Sequence, residues 1–310
     1  MKLQLIADMC DLSIAGNGNI EITSIAYAND AQKNDIAVAF SMKDIENTKA
    51  MAVLSEPCVC FSEKTMIYCI YGKILSVLTR VAELFVREGI FIDYNKVPEY
   101  EEKQNGIMFG NNVQVGKKTI IGPFVTIGDN VIIGKNCIIE PNVFIGSGTQ
   151  IGDYCVIHSG ARIGAASFLH YEEGGKVKCF WGVGRTVLES AVQIGYNAVV
   201  QRGTLSDTVI GKRTLIGNLV VIAHDVRIKK DSRIVCQVGI AGGASIGEHV
   251  KILGQSGVAN NVHVGNYATV LAKSVATKNV EDGEKISGVY GREHKAEMKA
   301  QALLRKLKQE

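Results

Sequence analysis

At 310 residues, with 46% hydrophobic but only 6% aromatic side chains, the chain is long enough for two domains and a sizeable core, and is unlike a disordered polymer. Thirty-three glycines against four prolines suit a repeat scaffold of small and β-branched residues, and a net charge of +3 is too small to imply nucleic acid as a partner. Met1 to Asp8 meets an acidic residue too early for a secretory signal, and no apolar run approaches membrane-spanning length. A cytoplasmic protein with no integral membrane segment is expected. The eight cysteines lack paired metal-site spacing. Even Cys58-Val59-Cys60 has no second pair nearby, so reduced, partly buried thiols and no bound metal are expected.

Residues 1–104 show no long-period repeat and predict a small α/β domain. Asn17-Gly18-Asn19 reads as a turn before a strand at Ile20–Ile25. Further strands are expected at Ile36–Phe40 and Met51–Leu54, with a polar helix at Met42–Lys49 between them. Ile74–Arg87 predicts a helix with Leu75, Leu78, Val81, Leu84 and Phe85 on one face. A polar linker, Glu99–Gln104, ends the domain.

From residue 105 to 287 an aliphatic residue recurs at every sixth position. Val115, Ile121, Ile127, Ile133, Ile139, Ile145, Ile151, Ile157 and Ile163 form the first run. Ile216, Ile222, Ile228, Ile234, Ile240, Ile246, Ile252, Val258, Val264 and Val270 form the second. A period of six matches neither a helix nor a simple strand. It predicts a hexapeptide-repeat parallel β-helix, in which each coil has three short flat sides, one aliphatic residue points inward per side, and small residues ease the corners. About eight coils result. The pattern breaks at residues 165–187, a loop with a charged tip, Glu172-Glu173-Gly174-Gly175-Lys176, and slips by four residues across Arg202–Asp207. Phe168, Tyr171 and Trp181 in the loop either line a tunnel or a neighbour's cleft, or pack the loop on its own coil. Residues 288–310 predict a terminal amphipathic helix with Met298, Leu303, Leu304 and Leu307 beside Arg292, Lys295, Lys299, Arg305, Lys306 and Lys308. It serves either as a cap or trimer contact, or as a basic face for an acidic carrier.

His224, in Ile222-Ala223-His224-Asp225, interrupts the ladder with a side chain able to move protons near neutral pH. Lying two residues past Ile222, it need not share the inward direction of the ladder. Asp225 is adjacent, so on an extended strand its side chain would point away from His224. His263 and His249 are expected to face solvent. Phe40 either stacks on a base or sits in the α/β core, the second being the simpler reading of a lone aromatic.

Three motifs carry a family resemblance. Gln201-Arg202-Gly203-Thr204-Leu205-Ser206-Asp207-Thr208-Val209-Ile210-Gly211, then Asn218 and Ile222-Ala223-His224-Asp225-Val226, resembles the pattern "DRGALDDTVIG … N … IAHNV" of the UDP-3-O-acylglucosamine N-acyltransferase family of lipid A biosynthesis. Ile157–Gly164 with Phe168, and Gly16–Thr23, are similar to further segments of that family. The resemblance implies a left-handed β-helix homotrimer that moves a hydroxyacyl chain from acyl carrier protein to the amino group of a UDP-sugar, with active sites between neighbouring β-helices and no cofactor beyond the acyl thioester. It implies that His224 is the general base, that Asn218 lies at the cleft, and that the Gly242 backbone N–H stabilises the oxyanion. Departures are also visible. The family's second histidine falls at Asn261, with His263 the nearest substitute, and its uracil-contacting Phe-x-x-Asn-x-x-Tyr keeps only Phe40, with Lys43 and Glu46 in the other places.

The expected function is therefore N-acyl transfer from an acyl thioester to a nucleotide-linked aminosugar. The substrate-facing set comprises Asn218, Asn261, His263, Phe40, Phe168 and Trp181. One rival keeps the enzyme and takes acyl- or acetyl-CoA as donor for a capsule or glycan aminosugar. Another is a trimeric, non-catalytic sugar-binding scaffold.

Overall fold

The computed structural model describes residues 1–56, 64–68, 73–94, 96–180, 182–288, 291 and 293–307, with the backbone alone at 301, 302 and 304–307. Cys58, Cys60, Trp181, Arg292 and Lys308 lie outside the described residues. The fold is mainly β: a left-handed parallel β-helix preceded by an α/β domain and followed by a helix.

In the N-terminal domain four strands, Ser24–Tyr27, Asp35–Val38, Ala52–Ser55 and Thr65–Tyr68, run parallel side by side, and Ser13–Ala15 adds antiparallel to the last. Every residue of Asp35–Val38 and Ala52–Ser55 is buried, as expected of central parallel strands covered on both faces. Alternation assigns the faces. Ile36, Val38, Ala52 and Leu54 pack against the helix Ile74–Arg87 through Val77, Leu78, Val81 and Phe85. Ala37, Ala39 and Val53 pack on the other side with Ile45 of the helix Met42–Asn47. The expected strand at Ile20–Ile25 forms later, at Ser24–Tyr27. Ile20 and Ile22 instead plug the core beneath the helix Leu3–Met9, with Ile22 N–H donating to Met1 O.

The β-helix winds from Met108 to Ile286 as eight complete three-sided coils and a ninth whose middle side is a single bridge, Val264 with Val280. Partners are eighteen residues apart where the repeat is regular, as in Val221 with Gly239 and Ile222 with Ile240. The expected inward ladder is buried from Ile127 onward, for example Ile127, Ile145, Ile163, Val200, Ile222 and Ile240 on one face, while at the first coil Val115 is exposed and Ile121 half-buried. Each such side chain contributes on the order of 1.5–3 kcal/mol by burial, so the ladder holds the coils together far more than any surface pair. The six-residue register holds to the end, with Ala276 inward after Val270 and Val275 exposed.

Many glycines that directly follow an inward aliphatic residue act through space rather than through φ. In Ile133-Gly134-Lys135-Asn136 the left-handed residue is Asn136 (φ 54°), while a Cβ on Gly134 would lie 2.6 Å from the Asp153 nitrogen of the next coil. Gly134 is required by the close approach of stacked corners, and the turn itself is made two residues later.

The insertion at 165–187 is a β-hairpin, Leu169–Glu173 with Lys176–Phe180, closed by Gly174-Gly175, both at positive φ as a two-residue hairpin turn demands. Its apolar side turns to the N-terminal domain, and Leu169 also lines the cavity between that domain and the β-helix. Phe180, Leu169 and Tyr171 join the core of the N-terminal domain, and Ser76 Oγ donates to Glu173 Oε1 at 2.5 Å. The hairpin therefore mortars the first domain onto the β-helix. The terminal helix, His294–Leu307, begins at Glu293, whose carboxylate accepts the Lys295 and Ala296 N–H groups. Met298 and Leu303 are exposed on it. Among the described residues no helix is long and apolar enough to cross a membrane.

Candidate active site

Where the strand Val221–Ile222 ends, the chain must turn before Arg227–Ile228 begins the next side. The corner Ala223-His224-Asp225 does this with Asp225 at φ +59°. That left-handed residue overturns the expectation that Asp225 points away. The pair is not on an extended strand, and the turn swings the carboxylate back beneath the imidazole, with His224 Nδ1 2.8 Å from Asp225 Oδ2. The carboxylate can only accept, so Nδ1 carries the proton and Nε2 is the free lone pair. Nε2 has no hydrogen-bond partner among the described residues.

Asp225 is itself fixed from several sides. Oδ1 accepts the Thr204 N–H at 2.8 Å, Oδ2 accepts Thr204 Oγ1–H at 2.5 Å, and the Asp225 N–H donates to Thr208 Oγ1 at 2.9 Å. Thr204 is wholly buried, and Tyr27 Oη lies 2.7 Å from its Oγ1. Burial and the neighbouring Asp225 charge push the Tyr27 phenol above its ordinary pKa, so it stays protonated. Two more contacts cross the same seam: Ser206 Oγ and Arg227 Nη2 each donate to Asp30 Oδ2 at 2.7 Å. Behind them Arg185 grips Asp207 in a two-pronged pair, at 3.2 and 2.7 Å. Arg202 is buried, reaches Gly164 O at 3.2 Å and lies over the Tyr94 ring at 5.5 Å. Burial draws its pKa down to about 10, which leaves it charged at neutral pH.

These contacts place the N-terminal domain over the His224 corner and leave a cavity of about 700 Å³ between them. His224, Asp225, Gly242, Ser245 and Asn261 form one wall, and Tyr27, Asp30, Phe40 and Asp44 the other. Gly242 sits one coil beyond His224. A Cβ there would lie 2.5 Å from the imidazole Cε1 and 2.7 Å from Nε2, so only glycine lets the ring lie flat against the next coil. Its carbonyl accepts the Asn261 N–H at 3.1 Å, while its own N–H donates to no described residue.

The structure brings His224, Gly242, Asn261 and Phe40 to one cavity and leaves other expected residues apart. Phe40 is not core: it is 58% exposed, with its ring 6.2 Å from that of Tyr27. His263 faces outward as expected but is tied to the cavity edge, its Nδ1 lying 2.8 Å from Ser245 Oγ. Asn218 occupies the preceding corner, where Oδ1 accepts the Tyr196 N–H at 3.0 Å, and within one chain it does not line the cavity. Phe168 is exposed beside His170 and also lies outside it. Tyr27, Asp30, Thr204, Asp225 and Arg227 were absent from the sequence-based set. One signal marked Thr204: the four-residue slip at Arg202–Asp207, a break in the repeat at the place where the other domain docks.

With this geometry in view, the relatives can be placed. The family model of bacterial transferase hexapeptide repeats matches residues 106–137 and 131–165. That match covers well under half of the chain and lies in the first regular coils of the β-helix. Over 70 residues it is 53% identical to the UDP-3-O-acylglucosamine N-acyltransferase of Sinorhizobium fredii, and 51% identical over the same length to that of Rhizobium meliloti. Each match covers 23% of this chain and spans only 20% of the relative's length. Among solved structures, UDP-N-acetylglucosamine O-acyltransferase from Moraxella catarrhalis superposes with a TM-score of 0.55 at 27% identity, covering 64% of this chain and 77% of that one. The chain is thus similar to acyltransferases both in local sequence and in the winding of its coils.

Proposed function

We propose that the protein is an N-acyltransferase that moves an acyl or hydroxyacyl group from a thioester to the amino group of a nucleotide-linked aminosugar. The observation that carries this reading is the free Nε2 of an Asp-oriented histidine beside an unpartnered backbone N–H, in a cavity large enough for a sugar nucleotide. The amine nitrogen attacks the thioester carbonyl, and His224 Nε2 takes the proton that the nitrogen sheds. The Gly242 N–H donates to the oxyanion of the tetrahedral intermediate. Collapse breaks the C–S bond, and the imidazolium returns its proton to the departing sulfur. Asp225 holds the tautomer in which Nε2 is the base and stabilises the imidazolium. No cofactor is needed beyond the thioester.

Phe40, exposed on the opposite wall, is suited to stack on a nucleobase, and Asn261 and Ser245 to bind the sugar. The relatives' names support a UDP-aminosugar acceptor. The exposed Met298 and Leu303 beside Lys295 and Lys299 on the terminal helix suit a trimer contact or an acidic carrier, and the reaction belongs in the cytoplasm, where acyl thioesters are made. In a homotrimer, Asn218 and Phe168 would face a neighbouring copy.

The test is mass spectrometry of products after the protein is offered acyl carrier protein and CoA thioesters with UDP- and dTDP-aminosugars. An amide product from a carrier-bound hydroxyacyl group and a UDP-aminosugar is expected. Product only from acyl-CoA moves the donor to the rival reading, and no product from any pair overturns acyl transfer.

A further inference from the structure

We propose that Tyr27 is a positioning residue for His224, acting from the N-terminal domain through Thr204 and Asp225. The hydroxyl protons settle the direction of the relay. Thr204 Oγ1 has one hydrogen, and it points to the Asp225 carboxylate, which can only accept. Tyr27 must therefore donate to Thr204, giving an unbroken line of donors from one domain to the base of the other: Tyr27 O–H to Thr204 Oγ1, Thr204 O–H to Asp225 Oδ2, and His224 N–H to that same oxygen. The line is half-buried at its Tyr27 end and fully buried at Thr204, where hydrogen bonds polarise one another most. The pattern quoted for the resembling family has Ala and Asn at these two places, where this chain has the hydrogen-bonding Thr204 and Asp225. Docking of the N-terminal domain and orientation of the base are then one event.

The charged and titratable groups around His224 are few. Tyr27, Asp30 and Asp44 line the cavity from the N-terminal domain, and Asp225 and Arg227 from its own coil. The next coil, Gly242–Ser245, brings none, and His263 reaches the edge through Ser245. Deleting the Tyr27 donor leaves more negative charge on Asp225, which favours the imidazolium and raises the His224 pKa. The acid limb of the rate profile then moves to higher pH.

The inference rests on the acyl-transfer reading for its kinetic arm alone. In Tyr27→Phe the ring and its packing remain. We expect kcat to fall about three- to tenfold with KM within about twofold, and the acid limb to shift upward. Thr204→Val should act in the same direction and more strongly, Thr204→Ser should stay near wild type, and the Tyr27→Phe/Thr204→Val pair should be no worse than Thr204→Val alone. The second arm is free of substrate: an NMR titration of the His224 imidazole, identified by its loss in His224→Gln. An upward shift in both variants supports the relay even if no acyl transfer is found. An unchanged titration, or a raised KM with unaltered kcat, overturns it.

Discussion

Two neighbouring corners of the β-helix show what makes a site out of a repeat. Gly217-Asn218-Leu219 and Ala223-His224-Asp225 have the same backbone, each with a left-handed third residue, Leu219 at φ +57° and Asp225 at +59°. At the first, Asn218 uses its polar side chain to cap the Tyr196 N–H of the coil below, and Leu219 is 52% exposed. At the second, the corresponding side chains turn toward each other, and a second domain closes over them, leaving the His224 side chain 13% exposed. The coil supplies an identical turn in both places. The difference comes from the slip at Arg202–Asp207, which lifts Thr204 under Asp225 and Ser206 toward Asp30. A repeat position becomes chemical where its regularity is broken next to it.

Changing the second corner should have the largest effect. Asp225→Ala strands His224 Nδ1 and the Thr204 N–H together. We expect turnover to drop about 100-fold and stability to fall by about 2–4 kcal/mol, because buried donors lose their acceptor. Steady-state kinetics and denaturant unfolding read the two losses. Gly242→Ala drives a methyl into the imidazole and should cost about tenfold or more in kcat, whereas Gly239→Ala, whose Cβ would meet nothing within 4 Å, should leave kcat unchanged. Equal behaviour of the two glycines would show that Gly242 is no more than a corner residue.

At the first corner the expected change is structural. Asn218→Ala removes one cap and should lower stability by about 1 kcal/mol with kcat within about threefold, measured by thermal unfolding and turnover. A large loss of kcat with intact folding would instead bring that corner into a site shared between copies. The smallest effect concerns the hairpin that holds the domains together. Lys178 and Ser76, both bonded to Glu173, hold its carboxyl at about 2, well below the ordinary 4.5. A depressed carboxylate stabilises above its unfolded pKa and loses that contribution as pH falls through the folded one. Hydrogen exchange in Leu169–Phe180 should therefore quicken slightly between about pH 4.5 and 2.

Much of this was legible in the sequence. The six-residue ladder gave the coil, its inward residues and the position of the insertion, because burial in a β-helix repeats with the same period as the chain. The helix Ile74–Arg87 was equally plain from its apolar stripe. His224 stood out as an ionisable residue in an aliphatic frame. Asp225 was misjudged because strand alternation was applied to a residue that sits in a left-handed corner, and Phe40 because a lone aromatic says nothing of which side of a sheet edge it leaves from. Tyr27 and Asp30 were invisible: they lie about 180 residues before their partners, Thr204 and Ser206, and only docking brings them together.

The central claim is that His224 is the base of this corner, and removing it is the most direct test. With the thioester and aminosugar pair identified by mass spectrometry, His224→Ala should lower turnover by about 100-fold or more while its thermal unfolding stays close to wild type. Turnover equal to wild type in that folded variant would contradict the account.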